Sequence, residues 1–174
     1  MNAVRTIAQA MLVALVAASL LVAGCGGKSK SKSTPKPAPG VSVPPAPGET
    51  NLKVKPTVLK GVGPAPTALQ KRDIVVGNGP AVKTGQKVMV QYVGVSYDTG
   101  QQFDASWDRH QPFVFKLGGG IVIPGWEQGV VGMRVGGRRQ LVIPPELGYG
   151  AQGQPPTIQP NETLVFDIDL LKVK

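Results

Sequence analysis

One cysteine, one histidine and an aromatic share of 5% are the scarcities of this 174-residue chain. The lone cysteine, Cys25, excludes an internal disulfide and a cysteine-based metal site. With His110 as the only histidine and Cys25 outside the folded domain, a zinc centre lacks its usual ligands and a Ser–His–Asp relay has a single candidate base, so a function resting on a nucleophile or a metal is not expected. No internal repeat is present. The triple glycine Gly118 to Gly120 lacks the GK[ST] that a phosphate loop requires. Acidic residues are few too, 10 against 19 Lys and Arg, for a net charge of +9. Such a total could point to nucleic acid, but its distribution argues otherwise. Seven lysines between residues 26 and 66 (Lys28, Lys30, Lys32, Lys36, Lys53, Lys55 and Lys60) face Glu49 alone, while residues 67–174 carry only +2. No nucleic-acid partner is expected.

What is present begins with a leader. Arg5 supplies a positive start, and Ile7 to Val22 is apolar apart from Gln9 and Ser19. The run is somewhat short for the roughly 20 residues of a spanning helix. Small residues Ala23 and Gly24 then precede Cys25, the pattern of a segment removed on export. The sequence VAGC (Val22 to Cys25) resembles a bacterial lipoprotein signal, which implies lipidation of Cys25, a membrane partner through that lipid and an extracytoplasmic, anchored protein. An ordinary secretory signal with an incidental cysteine is the alternative. Residues 25–66 follow as a Pro-, Lys- and Ser-rich tether, with KSKSKSTPKPAP (Lys28 to Pro39) and VPPAPG (Val43 to Gly48) as its low-complexity blocks. Too little apolar surface is available there to offset ordering entropy, and the prolines favour an extended spacer. Lysines so placed suit an anionic membrane surface, or a plain solvated linker. Within the tether, KVKPTVL (Lys53 to Leu59) is the part that could lie along the domain as an extra strand.

Residues 67–174 are the right size for one domain. KVMVQYVGV (Lys87 to Val95) alternates, with Val88, Val90 and Tyr92 on one face. TLVFDIDLLKV (Thr163 to Val173) alternates more cleanly, with Leu164, Phe166, Ile168 and Leu170 pointing in and Asp167 and Asp169 out. PFVFKL (Pro112 to Leu117) and RRQLVI (Arg138 to Ile143) are shorter strands, and SYDTGQ (Ser96 to Gln101) is a hairpin turn in which Gly100 suits a positive φ. Between them lies VIPGWEQG (Val122 to Gly129). Pro124 opens a helix that Gly129, Gly132 and Gly136 hold to about two turns, with Trp126 and Val130 on one face. The fold class is therefore α+β, a curved antiparallel sheet of about five strands around one short α-helix, with Trp126 at the centre of the concave face.

All nine aromatic residues fall within this domain. FDASWDRHQPF (Phe103 to Phe113), VIPGWEQG, IPPELGYGAQG (Ile143 to Gly153) and ETLVFDIDLL (Glu162 to Leu171) together resemble the FKBP-type peptidyl-prolyl isomerases, over essentially all of residues 68–174. The resemblance implies a pocket walled by Tyr92, Phe103, Phe113 and Phe166 and floored by Trp126. Val122 and Ile123 match the segment whose backbone binds ligand, Ile123 through its N–H. Asp104 matches the pocket carboxylate, Arg109 its steadying partner, Tyr149 the hydroxyl that binds a carbonyl, and Ile158 an apolar residue of the overhanging loop. Asp104, Tyr149, Trp126 and Phe103 are thereby the residues expected to carry catalysis. Gln154-Pro155-Pro156-Thr157 and Gln159 depart from the family pattern in that loop and bear on substrate preference. The implied partners are proline-containing segments of exported proteins and macrolide inhibitors of the rapamycin type, on a monomer with no cofactor and no metal.

The residues make chemical sense of that resemblance. Rotating an X–Pro bond means breaking amide resonance across a barrier of about 18–20 kcal/mol, and no bond has to be cut. A twisted amide is less polar than a planar one, so an apolar, water-poor pocket favours it, with a positioned hydroxyl holding the carbonyl oxygen. Binding the twisted form best is then the catalysis. Two readings stay open at this point: an isomerase that assists folding of exported proteins, and a binding module or chaperone that uses the same groove with little turnover. Some aromatics are plain core, Phe115 above all, read as alternating away from Phe113, and Phe166 in part. Asp104 could also be merely a salt-bridged surface acid.

Overall fold

Residues 43–174 are described in the computed structural model, so the leader expected over 1–24, Cys25 and the first part of the tether lie outside the described residues. Six strands form one antiparallel sheet: β1 (Gln70–Val75), β2 (Lys87–Ser96), β3 (Gln102–Ala105), β4 (Phe113–Lys116), β5 (Gly137–Ile143) and β6 (Leu164–Val173). The order is β1-β5-β6-β2-β3, and β4 also pairs with β2. The first half of β2 pairs with β4 (Val88 with Phe115) and its second half with β3 (Val93 with Ala105), so two short strands share one edge. The four expected strands are present, joined by β1 and β3. The turn after β2 places Gly100 at φ 74°.

Alternation dictates the two faces. Val88, Val90 and Tyr92 from β2, Leu141 and Ile143 from β5, and Leu164, Phe166, Ile168 and Leu170 from β6 bury themselves against α1 (Pro124–Gly129). Each of these side chains contributes about 1.5–3 kcal/mol by leaving water. The helix is short, as its glycines require, with Pro124 in its first turn and Trp126 4% exposed. Arg139 reaches past the helix end and donates to the carbonyls of Gly129 (2.8 Å) and Val131 (3.0 Å), while Asp73 pairs with its guanidinium at 2.6 Å. Those bonds satisfy carbonyls the helix cannot satisfy itself and fix its C-terminus to β5. No helix among the described residues is long and apolar enough to cross a membrane.

The opposite face departs from expectation. Asp167 and Asp169 do point away from the helix, but they are 1% and 2% exposed. Their cover is the described part of the supposed tether. Val43 and Val58 are buried with Val93, Val95, Tyr97, Ala105, Val142 and Val165 in a second apolar cluster. Glu49 accepts two hydrogen bonds from Arg72, at 3.0 and 3.1 Å, and Arg138 pairs with Asp169 at 2.5 Å while donating to the Glu49 carbonyl at 2.7 Å. From residue 43 on, then, the chain is a strap on the sheet and not a solvated spacer. It forms no strand; the Lys53–Leu59 stretch lies along the domain through buried Val58, the Lys55–Asp108 pair and the Val54 carbonyl, which accepts from Arg138 at 3.3 Å. The low apolar content and the prolines point to a spacer, yet a few apolar side chains and arginine bonds suffice to pack an extended proline-rich chain on a sheet face without a ladder.

Candidate functional site

Local sequence explains how the site is presented. Before the helix, the amides of Gly118 (2.5 Å) and Gly120 (2.9 Å) donate to the two carboxylate oxygens of Glu127, so the helix's own first turn pins the glycine loop. The following residues, Ile121, Val122 and Ile123, are thereby held at the open end of the sheet's concave side. Ile123 is the helix N-cap, and its carbonyl accepts from the Trp126 amide at 2.9 Å. Its own N–H has no acceptor among the described residues. After β5, a 3-10 turn at Pro145–Leu147 leads to Tyr149, and the Gln154–Ile158 bridge closes the overhanging loop.

These elements enclose a cleft of about 520 Å³. Its lining comprises Tyr92, Phe103, Asp104, Phe113, Val122, Ile123, Trp126, Tyr149, Ile158 and Phe166, ten of the eleven residues expected there, and in addition Ile121, Gln154, Pro155 and Thr157. The eleventh, Arg109, stands behind the wall. It pairs with Asp104, and donates to the Tyr92 hydroxyl at 2.8 Å with its guanidinium 5.7 Å from the Tyr92 ring centre. Tyr92 in turn donates to Asp104. The carboxylate is therefore held from two sides, in a partly exposed ion pair that also lines the cleft.

Trp126 is the hub of the floor. Its ring meets Tyr92 at 5.1 Å and Phe166 at 5.3 Å, both nearly perpendicular, and Phe113 at 6.3 Å. Phe103 closes on Phe166 at 5.4 Å, again edge to face. Perpendicular pairs of this kind contribute about 0.5–1.5 kcal/mol beyond area burial and leave little rotational freedom. Phe115 is buried core as expected, but it does not alternate away from Phe113. The two rings stack at 5.4 Å, because residues two apart in a strand share a face. Phe166 serves both roles, lining the cleft and packing in the core. Gly94 makes room for this arrangement: a Cβ there would lie 2.7 Å from both Phe103 and Phe166.

Electrostatically the cleft offers donors and one fixed carboxylate. Burial, then the bond to Asp104, pushes the Tyr92 hydroxyl up to about 12. Burial, with the nearby Asp104 charge, also raises the Tyr149 hydroxyl. Both phenols therefore stay protonated through neutral pH. The Tyr149 carbonyl accepts from the Gly153 amide at 3.1 Å, but its hydroxyl bonds to no described residue and is free to donate into the cleft. Of the remaining lining residues nine are apolar, and Gln154 and Thr157 are polar. No proton relay is assembled, and the arrangement suits holding a carbonyl in dry, aromatic surroundings. Ile121 and the loop residues Gln154, Pro155 and Thr157 were not among the residues expected to line the site. The apolar triplet after the glycine loop was the available signal for Ile121. The loop residues had registered only as departures from a pattern.

Comparisons with known proteins agree with this geometry. A family model described as FKBP-type peptidyl-prolyl cis-trans isomerase matches residues 79–171. An FK506-binding protein of Streptomyces anulatus is 52% identical over 120 residues, covering 68% of this chain and 97% of that protein. The peptidyl-prolyl cis-trans isomerase Fkbp12 of Drosophila melanogaster is 48% identical over 102 residues, 58% of this chain and 94% of the relative. Among solved structures, the crystal structure of AtFKBP13 superposes with a TM-score of 0.58 at 39% identity, covering 63% of this chain and 96% of that one.

Proposed function

The chain belongs to the FKBP-type peptidyl-prolyl cis-trans isomerase family and is a peptidyl-prolyl isomerase, and on that premise we propose that it turns X–Pro bonds of exported proteins by binding the twisted amide in its aromatic cleft. The observation that carries the mechanism is the near-perpendicular packing of Tyr92 and Phe166 on Trp126, with Phe103 edge-on to Phe166, in a cleft whose unpaired donors among the described residues include the Tyr149 hydroxyl, the Ile123 amide and the buried Trp126 indole N–H. The proline ring sits on the Trp126 floor, and its apolar flank is matched by the rings around it. As the amide twists, conjugation is lost and the carbonyl swings out of the peptide plane. Tyr149 holds that oxygen, while the Ile123 N–H takes a carbonyl of the neighbouring peptide unit. Catalysis is the surplus of binding to the twisted form over either planar form. No side chain exchanges a proton with substrate. Asp104, fixed by Tyr92 and Arg109, orients the wall electrostatically.

The test is a proline-isomer assay on a tetrapeptide with the full chain at micromolar concentration. Uncatalysed exchange takes about 10–100 s, so acceleration is easily read. A macrolide of the rapamycin type, a ligand class consistent with relatives named FK506-binding proteins, should compete with substrate in the cleft. Acceleration that a saturating macrolide leaves untouched, while it binds the protein, would place the chemistry elsewhere. Anchoring is a separate part of the reading. The apolar leader ending in VAGC supports lipidation of Cys25 and an extracytoplasmic position on a bacterial membrane. Cys25→Ala should move the protein from the membrane fraction to the soluble one, whereas equal retention of both forms would indicate an uncleaved helix.

A further inference from the structure

We propose that the strap, residues 43–64, is a positioning element of the isomerase site, acting through the edge strand β3 that carries Phe103 and Asp104. β3 has four residues and stands at the end of the sheet, and its register with β2 shifts between Gly94 and Val95. An isolated edge of that length holds its side chains poorly, because it is bonded on one side only. Yet it contributes one ring and the single carboxylate of the cleft. Its inner face is occupied by the site. Its outer face is occupied by the strap.

Three contacts make that backing specific. Val58 of the strap is buried in one cluster with Ala105, the last residue of β3, and Trp107 packs on the same cluster. Lys55 pairs with Asp108 at 2.6 Å, and the other oxygen of Asp108 accepts from Gln102, the first residue of β3, at 2.8 Å. Asp108 immediately precedes Arg109, the guanidinium that fixes Asp104 and Tyr92. Further along, the Gly61 amide donates to the Tyr97 carbonyl at 2.8 Å, and the Tyr97 hydroxyl donates back to Val62 at 3.2 Å. Tyr97 closes the turn between β2 and β3, and a Cβ at Gly61 would lie 2.0 Å from its ring. The strap thus grips both ends of β3 and the turn that leads into it. These contacts lead to the cleft lining through that strand and the Asp108–Arg109 step.

A strap that only stabilised the sheet would shift unfolding and leave the cleft alone. A positioning strap changes turnover in protein that remains folded. The test is a graded series in the full chain, Lys55→Ala, Gly61→Ala and Val58→Asp. Hydrogen exchange is read separately over 43–64, 102–110 and the β5–β6 pairing, together with kcat and KM on one proline peptide. Exchange over 102–110 should rise in step with exchange over 43–64 while β5–β6 stays protected. Because small misplacements of a site are costly, kcat/KM should fall by about three- to tenfold in the same order. A synthetic peptide of residues 43–64, added to the released variant, should restore part of the rate. The proposal is overturned if the strap loosens while 102–110 and kcat/KM stay at wild-type values. It is equally overturned if all three variants leave strap and edge unchanged. Should Val58→Asp fail to fold, the exposed Lys55–Asp108 pair still decides the matter, since its loss leaves both apolar clusters intact.

Discussion

Replacing Tyr149 with Phe removes one oxygen and leaves the rest of the site as it was. The ring is 37% exposed and its hydroxyl bonds to no described residue, so the folded protein loses no internal hydrogen bond and its unfolding midpoint should not move. What is lost is the donor proposed to meet the carbonyl oxygen of the twisting amide. One neutral hydrogen bond contributes about 0.5–1.5 kcal/mol net, which predicts a loss of roughly two- to twelvefold in kcat/KM. The loss should fall mainly on kcat if the bond tightens in the twisted state, and on KM if it is equally good in the planar one. Because burial and Asp104 raise the phenol above its ordinary value, the hydroxyl is protonated from pH 5 to 8 and the wild-type profile should be flat across that range. The assay is kcat/KM on one proline peptide at intervals over that range, for wild type, Tyr149→Phe and Asp104→Leu. A loss above about a thousandfold, or a bell-shaped profile that vanishes in Asp104→Leu, would show acid–base chemistry and refute the reasoning. An unchanged rate in Tyr149→Phe would show that the carbonyl is held elsewhere.

Three further outcomes follow from the same geometry. Burial pushes the Asp167 carboxyl up to about 7, so between the ordinary carboxylate range and that value the folded state holds the proton that the unfolded chain has released; this contribution to stability falls as pH rises through the window, by about 1.4 kcal/mol per pH unit at most. Asp167→Asn should therefore flatten that slope and raise the urea midpoint at pH 8 above wild type, and an unaltered slope would show that Asp167 is ionised in the fold. Gly94→Ala should push Phe103 and Phe166 apart at an overpacking cost of about 1–3 kcal/mol, lowering kcat/KM more than the melting temperature; the reverse pattern in paired assays would mean the backbone yields instead of the rings. Glu49→Ala strands the buried Arg72 guanidinium and should cost about 3 kcal/mol of stability in chemical denaturation, where a loss below 0.5 kcal/mol would mean water replaces the carboxylate.

What could be read from the chain, and what could not, divides along physical lines. β2 and β6 declared themselves because each has one face against the helix core, and a period of two is visible wherever one face is apolar. β1 was silent: three of the six residues of QKRDIV are charged, and Arg72 and Asp73 are consumed by Glu49 and Arg139. β3 was too short for periodicity to register, and its boundaries come from pairing with β2. Asp167 and Asp169 were placed on the correct face and assigned to solvent. Only the strap's arginine-bonded cover, distant in sequence, makes that face dry. The cleft was legible for a different reason. Nine of its eleven expected residues fall in four stretches of closely matched spacing, with Tyr92 and Ile158 outside them, whereas Ile121 and the Gln154–Thr157 wall belong to loops whose shape local pattern does not set.

The scarcity of reactive side chains is consistent with the mechanism proposed for the site. A reaction that breaks no bond to the chain asks for shape, dryness and one or two donors, and those are supplied by residues the core needs in any case. Trp126 and Phe166 sit in the same packed cluster as Leu141 and Ile168, and are 4% exposed each. Truncating either would damage folding and turnover together, so neither can separate the two contributions. The polar rim can. Tyr149 contributes nothing visible to packing bonds. Lys55 lies on the far side of the sheet and reaches the cleft only through Asp108 and β3. A rate that responds to Tyr149 and Lys55 at constant stability would show that positioning, from the inside and from behind, is what this fold adds to an apolar cavity.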